Sequence, residues 1–505
     1  MTNPTLLRNM ADPDQAAMHQ LDRVFALQQE AFRRNPYPSA AQRIELMQRV
    51  PGMLRKHRAQ ILEALDADFG GHSHDQSDLL EILGMFERAK FNVSQVKQWM
   101  RPVAKHSNPI TQGNSKAYIK YQPKGVIGNM VSWNFPFDIA IGPMLDQLGA
   151  GNRVIIKPSD LAPACGELLA RMVAETFDED QVSVVNGGLE FAKYFPSLPW
   201  NHLVYTGSGA VGRQIMAAAA ANLVPVTLEL GGKCPAIIAP DSVSDARTIA
   251  TVAGVKAIKR GQMCVTVDYC LVPKSSLANF TEQLVAYIRT HFSAQNGAPH
   301  ACGIINERHV ARLNQLLDEA RAAGVQVIQI GESIKAGARD MPFYVVVDPP
   351  ETLALMRQEI FGPILPIKTY QSTQDVVDQI GRGDRPLGLY IFAKDRSFID
   401  KVAQDTQSGG VAVNVIALQA GQPSMGFGGN GASGMGRHHG EEGFREFSNP
   451  RGYFERGAGG VMDWIMPPYG KDTRFLIDSV AYGGLGQQAL FALKQLPKNL
   501  LARWR

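Results

Sequence analysis

Short apolar runs separated by helical segments govern what this chain can fold into. Val126 to Val131, Arg153 to Lys157, Val182 to Val185 and His202 to Tyr205 are four such runs. Helical spacing fills the intervals at Phe137 to Leu148, Pro163 to Thr176, Glu190 to Tyr194 and Val211 to Ala221. Parallel neighbours need a crossover, and a helix laid on the sheet buries both faces of each strand, so this alternation reads as βαβ units. A second series runs through Ala236 to Ile238, Tyr269 to Val272, Val325 to Gly331, Phe343 to Val347, Ile364 to Thr369 and Leu389 to Phe392. The expected fold is therefore α/β, with two parallel-sheet domains meeting near Leu230. Ahead of them, Asp22 to Arg33, Ala41 to Asp66 and Asp78 to Trp99 have helical periodicity, and Pro102 stops the last. Residues 103–117 are polar and loop-like. Ala117 to Gln122 alternates as a strand does, and Pro123-Lys124-Gly125 turns the chain.

Bulk properties narrow the function. The 505 residues are 45% hydrophobic, enough for two or three domains with large cores. A formal charge of +4 with no long Lys/Arg run gives no electrostatic footprint for nucleic acid. The cysteines, Cys165, Cys234, Cys264, Cys270 and Cys302, are odd in number and form no CxxC pair. They indicate a reducing compartment, and the cytoplasm is expected. Met1 to Asp14 has no apolar leader core, and no uninterrupted apolar stretch of about 18 residues predicts a membrane span. The most apolar candidate, Ala481 to Leu501, is broken by Gly, Gln, Lys and Pro. The tail from Gly459 to Arg505 fits packing on its own domain, a membrane surface or another subunit. His438 and His439 read as a surface turn, and no metal site is expected.

Three motifs carry groups suited to covalent chemistry on a carbonyl. Cys264 lies in Gly261-Gln262-Met263-Cys264, between a helical segment and the strand-like run Val265 to Val272. Glu229 lies in Thr227-Leu228-Glu229-Leu230-Gly231-Gly232, and Asn134 in Trp133-Asn134-Phe135-Pro136. A thiol, a carboxylate and an amide donor are what thioester chemistry requires. Taken singly, a core cysteine and a turn asparagine fit equally well. Glu229 is harder to dismiss, because a carboxylate amid leucines needs a partner or a raised pKa. Tyr205 to Gly212 is a small-residue turn after a strand, suited to a phosphate or simply to tight packing. Lys157-Pro158-Ser159-Asp160 is either a helix cap before Pro163 or a grip on an adenosine ribose. A carboxylate there disfavours a 2′-phosphate, so NAD is expected ahead of NADP.

Together these motifs, with Glu359-Ile360-Phe361-Gly362-Pro363 and Phe427-Gly428-Gly429 through Ser433-Gly434-Met435-Gly436, resemble the aldehyde dehydrogenase superfamily from about Ala41 to Phe454. The likeness is greatest to the branch holding coniferyl-aldehyde and class 3 (aromatic and fatty aldehyde) dehydrogenases. It implies two Rossmann-like parallel-sheet domains plus a small β oligomerisation arm. The NAD(P)-binding domain would span 1–108 and 124–230, the catalytic domain 231–433, the arm 109–123 and 434–455, and a C-terminal extension 456–505. By the same resemblance Cys264 is the nucleophile, Glu229 the general base and Asn134 the oxyanion donor. Cofactor contacts would come from Trp133, Lys157, Ser159, Asp160, Gly207, Ser208, Gly212, Leu230, Gly231, Glu359 and Phe361.

The implied reaction is NAD(P)-dependent oxidation of an aromatic or medium- to long-chain aldehyde to the acid, with coniferyl aldehyde the foremost candidate. Fatty-aldehyde and semialdehyde dehydrogenases are the alternatives, and a catalytically silent binding protein on the same fold is another. Met130, Trp133, Phe137, Tyr205, Met263 and Phe427 are the large apolar residues expected near the cleft. A homodimer is implied, with Ala117 to Gln122 and a segment near Phe444 to Phe447 at its interface. The chain departs from the branch at Asp160, where Glu is usual, at Asn414-Val415 in place of Asn-Asp, and at Gln419 near a usual histidine. Its terminus, with Lys494, Lys498, Arg503 and Arg505, lacks the apolar anchor of the membrane-bound members.

Overall fold

Both apolar series become sheets in the computed structural model, which describes residues 13–292, 302–332, 339–484 and 486–487. The first sheet contains β3 (Val126–Met130), β4 (Arg153–Lys157), β5 (Val182–Val184), β6 (His202–Gly207), β7 (Val226–Leu230) and β15 (Gly434–Met435). Its order is β15-β7-β6-β3-β4-β5, parallel except for β15. The second contains β8 (Pro235–Ile238), β9 (Tyr269–Pro273), β10 (Val327–Ile330), β11 (Phe343–Val347), β12 (Ile364–Tyr370), β13 (Gly388–Phe392) and β14 (Gly410–Val413). Its order is β10-β11-β12-β9-β8-β13-β14, parallel except for β10. A small sheet, β1-β2-β16, joins Val103–Lys105, Lys116–Pro123 and Ser448–Glu455. Two compact units result. One holds the chain up to Val96 and Pro123–Phe447, with both large sheets. The other holds Lys97–Gln122 and the chain from Ser448 onward, with the small sheet.

Burial explains which strands were legible. Val154, Ile155 and Ile156 are each fully buried, so β4 is apolar on both faces and reads as a continuous run. β7 carries Thr227 and Glu229, both buried, and those polar side chains hide a strand from a hydropathy reading. Residues 103–117 are not wholly loop. Val103–Lys105 pairs antiparallel with Ala117–Ile119, and Pro109–Gln112 makes one helical turn. The strand-like run at Val265 begins only at Tyr269, because residues 263–266 turn, with Thr266 N–H donating to Met263 O at 3.2 Å. Phe444 and Phe447 are buried in the first unit, next to the helix Gly440–Glu446, so the arm strand starts after them at Ser448. Hydrophobic area drew those phenylalanines into a core and left the more polar Ser448–Glu455 for the arm.

The tail forms short helical turns at Met462–Ile465 and Lys471–Ile477. No helix among the described residues is long and apolar enough to cross a membrane. The basic end from Lys494 to Arg505, most of Ala481 to Leu501, and the amino-terminal residues read for a leader lie outside the described residues.

Chain topology sets where chemistry can occur. In the first sheet β4 and β5 lie on one side of β3, and β6 and β7 on the other. The turns leaving β3, β4 and β6 at their carboxyl ends therefore open onto the crevice where open α/β sheets bind ligands. The helix Asp138–Ala150, which begins just after the Asn134 turn, is held at its far end by fully buried Arg43. That guanidinium donates to Gly149 O (3.1 Å), Ala150 O (2.8 Å) and Pro38 O (3.0 Å). Arg43→Ala should leave these carbonyls unpaired and lower the unfolding free energy by about 2–3 kcal/mol, read as a lowered urea midpoint at unchanged m-value.

Candidate active site

Cys264 owes its position to a backbone that most residues avoid. Lys259, Arg260 and Gly261 have φ of 47°, 55° and 73°, three consecutive left-handed residues that swing the chain round before Gln262. At Gly261 the packing also demands glycine, since a Cβ would lie 2.5 Å from Gly362 O. Buried Gln262 then fixes the loop. Its Nε2 donates to Lys259 O (2.9 Å) and Gly303 O (2.9 Å), and its Oε1 accepts from Ile305 N–H (3.0 Å). Beyond it, Cys264 O accepts from Cys234 Sγ (3.3 Å) and Val265 O from Tyr390 Oη (2.6 Å). Cys234, Cys165, Cys270 and Cys302 are buried, and Cys264 is the partly exposed thiol of the five.

Asn134 comes to the same place from the carboxyl end of β3. Its Nδ2 donates to Gln262 O (3.2 Å), and its Oδ1 accepts from Ser132 Oγ (2.7 Å). An amide has two N–H groups, so one remains for a ligand. Glu229 is 3% exposed on β7, and neither carboxylate oxygen has a hydrogen-bond partner among the described residues. Burial pushes its pKa well above the usual range, Arg437 opposes this and Glu446 adds to it. The Cys264 thiol is pushed up as well, first by burial, then by Glu359, then by Glu229.

His438 and His439 correct the surface-turn reading, because they are buried at 8% and 7% exposure. Both rings lie against Phe427, at centroid separations of 5.4 and 5.7 Å. Arg88 Nη2 donates to His438 Nδ1 (3.0 Å), and His438 Nε2 lies 4.0 Å from Glu229 Oε1. Burial and then Arg88 hold both imidazoles well below their usual pKa, so His438 faces the Glu229 carboxylate as a neutral ring. The Arg88–Asp146 pair behind them is likewise buried. Nothing in the local sequence marked this cluster, because Arg88, Asp146 and His438 come from three distant segments.

The residues expected to hold the cofactor's adenosine and phosphates lie together at the carboxyl edge of the first sheet. Lys157 ends β4, is buried, and donates to Pro158 O (3.0 Å); Asp160 is exposed beside it. Ser159 Oγ accepts from Leu161 N–H at 3.2 Å, a local turn. Gly207 ends β6, and Ser208 caps the helix Gly209–Ala220, whose first residues reach solvent. Gly212 lets that helix approach β7, since a Cβ there would sit 2.9 Å from Leu230 Cδ2.

Opposite this edge, Trp133 meets Phe361 edge-on at 5.3 Å. Glu359 lies over Gly231, where any Cβ would collide with its carboxylate, and it accepts from Gly232 N–H. Burial and then Asp268 raise its pKa to about 8. Asp268, missed in the sequence, anchors this loop through Ile360 N–H (2.9 Å) and a pair with Lys233. Of the apolar residues expected near the cleft, Met130, Phe137, Tyr205 and Met263 are buried, whereas Trp133 and Phe427 are half-exposed.

A partly exposed thiol, a buried carboxylate with no hydrogen-bond partner among the described residues and a spare amide donor stand on an α/β scaffold of the ligand-binding, doubly wound kind. The model of the "Aldehyde dehydrogenase family" matches residues 1–452. A "Probable coniferyl aldehyde dehydrogenase" of Pseudomonas aeruginosa is 38% identical over 463 residues, covering 92% of this chain and 96% of the relative. Among solved structures, the substrate-bound state of Staphylococcus aureus AldH superposes with TM-score 0.84 at 30% identity, covering 90% of this chain and 98% of that one. A Mycobacterium tuberculosis aldehyde dehydrogenase complexed with NAD+ gives TM-score 0.78 at 25% identity, covering 87% and 90%. The chain belongs to the aldehyde dehydrogenase family.

Removing the Glu359 charge should lower the Cys264 pKa, because a neutral neighbour no longer opposes the thiolate. In Glu359→Gln, alkylation of Cys264 by iodoacetamide at pH 8 should accelerate roughly threefold to tenfold. An unaltered pH profile would show that Glu359 does not act on the thiol.

Proposed function

We propose that this protein oxidises an aromatic or medium- to long-chain aldehyde, foremost one like coniferyl aldehyde, to its acid through a thioester on Cys264. What supports this reading most is the Asn134 amide bonded to the Gln262 carbonyl, two residues before Cys264, with Glu229 among the charges that act on the Cys264 thiol. The fold's nicotinamide dinucleotide, NAD or NADP, suits the residues there. The helix Gly209–Ala220 presents an accessible amino terminus to a pyrophosphate, and Glu359 Oε1 is a buried acceptor without a hydrogen-bond partner among the described residues. Lys157, Ser159 and Asp160 would hold the adenosine ribose, Gly207, Ser208 and Gly212 the pyrophosphate turn, and Glu359 the second ribose. Trp133, Leu230, Gly231 and Phe361 would flank that end. When bound, the dinucleotide supplies a hydride acceptor. The relative named for coniferyl aldehyde and the half-exposed rings of Trp133, Phe361 and Phe427 favour a flat or extended apolar substrate.

Cys264 Sγ, its proton given up to solvent water, bonds to the aldehyde carbon as the carbonyl π bond breaks, and the carbonyl oxygen takes the negative charge. The spare Asn134 N–H and the Cys264 backbone N–H stabilise that oxyanion, each such donor contributing about 3 kcal/mol. Departure of hydride leaves the acyl group on Sγ as a thioester. Ionised Glu229 then takes a proton from water while the water oxygen bonds to the acyl carbon; cleavage of the C–S bond frees the acid and returns the thiolate. The protein would act as a homodimer, a reading supported by the small sheet's outer strands β1 and β16, whose free edges can pair with another chain.

Cys264→Ala should abolish a stoichiometric burst of NADH from an aldehyde while NADH binding persists; loss of both together would remove the nucleophile assignment. Glu229→Gln should keep the burst and slow turnover about a hundredfold. Because the Glu229 pKa is raised and only the ionised form accepts a proton, wild-type thioester hydrolysis should rise with pH through that pKa, and this limb should vanish in Glu229→Gln. Asp160→Ala should weaken NAD more than NADP, and equal losses would overturn the ribose assignment. Relative rates with coniferyl aldehyde, benzaldehyde and decanal decide the substrate class.

A further inference from the structure

A fully buried ion pair lies behind the site and belongs to none of the roles assigned above. Lys259 and Glu81 are both 0% exposed, with Lys259 Nζ 2.5 Å from Glu81 Oε1. The same Nζ donates to the backbone carbonyl of Asn134 at 2.6 Å and sits 4.1 Å from the ring centroid of Phe135. The second oxygen, Glu81 Oε2, accepts from Phe137 N–H (3.2 Å) and Asp138 N–H (3.0 Å). The pair therefore grips Asn134, Phe135, Phe137 and Asp138 from beneath. Lys259 also opens the left-handed stretch that leads to Cys264, and its carbonyl accepts from Gln262 N–H (3.1 Å) and Gln262 Nε2 (2.9 Å). One side chain thus ties the asparagine turn to the cysteine loop.

Burying two charges is expensive, and apolar side chains of similar volume often stabilise a fold as well or better. A backbone carbonyl and two backbone amides, all in the Asn134 turn, complete the hydrogen bonding that such a pair needs. Resting on the oxyanion role proposed for Asn134, we infer that Lys259 and Glu81 are positioning residues, which set the Asn134 amide relative to Cys264 Sγ for the carbon–sulfur bond-forming step. They touch no substrate and act through the Asn134 turn.

Lys259→Met alone strands a buried Glu81 charge, so the informative variant is K259M/E81Q, which removes both charges and keeps an amide beside Phe137 and Asp138. The full-length enzyme with a saturating aromatic aldehyde should show a burst slowed tenfold to a hundredfold, the order expected for a misplacement of about 1 Å. NADH affinity and the iodoacetamide reactivity of Cys264 should stay within about twofold, since neither uses the oxyanion donor. The decisive comparison is a cycle with Asn134→Ala. If the pair acts through the Asn134 amide, K259M/E81Q should slow the burst less than about threefold in the Asn134→Ala background. Equal slowing in both backgrounds, or a folded K259M/E81Q enzyme with a normal burst, overturns the inference and leaves the Asn134 assignment standing. A normal burst in Asn134→Ala itself removes the oxyanion assignment and this inference with it. Should K259M/E81Q not fold, Lys259→Arg takes its place in the same cycle, since it keeps the charge and moves the donor, and the same outcomes decide.

Discussion

The joining of two loops whose bonded residues, Asn134 and Gln262, stand 128 positions apart is the constraint on which this site depends. Asn134 stands at the carboxyl end of β3, and Cys264 stands before β9 of the other sheet. Asn134 Nδ2 reaches Gln262 O, and Lys259 Nζ reaches Asn134 O, so the two turns are bonded reciprocally. Gln262 adds three bonds that leave its loop little freedom. Preorganisation of this kind matters because catalytic donors contribute most when they need not move as charge develops.

Electrostatics at the site run against the reactive forms of its groups. Burial raises the pKa values of Cys264, Glu229 and Glu359, and the two carboxylates raise the thiol further. A thiol and a carboxylate that both resist ionisation favour their protonated forms until something alters their surroundings. Glu359 and Glu229 each oppose the Cys264 thiolate, so the loss of either negative charge eases ionisation of the thiol. Neutral His438, backed by Arg88, lies nearer Glu229 than any fully ionised partner, leaving the carboxylate unsatisfied by the protein and available to water.

Much of the fold was legible because a parallel strand buried on both faces must be apolar throughout. β4 and β11 match the sequence reading residue for residue. What was missed shares a cause. β7 hid behind Thr227 and Glu229, and β16 is a polar strand in a small sheet, where no core demands an apolar pattern. Asn134, Glu229 and Cys264 stood out through their neighbours in sequence. Lys259, Glu81, Arg88 and His438 did not, because each has its meaning only in partners more than 50 residues away.

The sequence by itself determined the α/β class, the family and the short motifs, since local propensity, hydropathic period and residue identity are written along the chain. Only the tertiary structure decided that two histidines read as a surface turn are buried, one of them facing the Glu229 carboxylate, and that a lysine and a glutamate 178 positions apart form one buried pair. Charge pairing and burial depend on distance in space and on exclusion of water, and neither quantity exists until the chain has closed on itself.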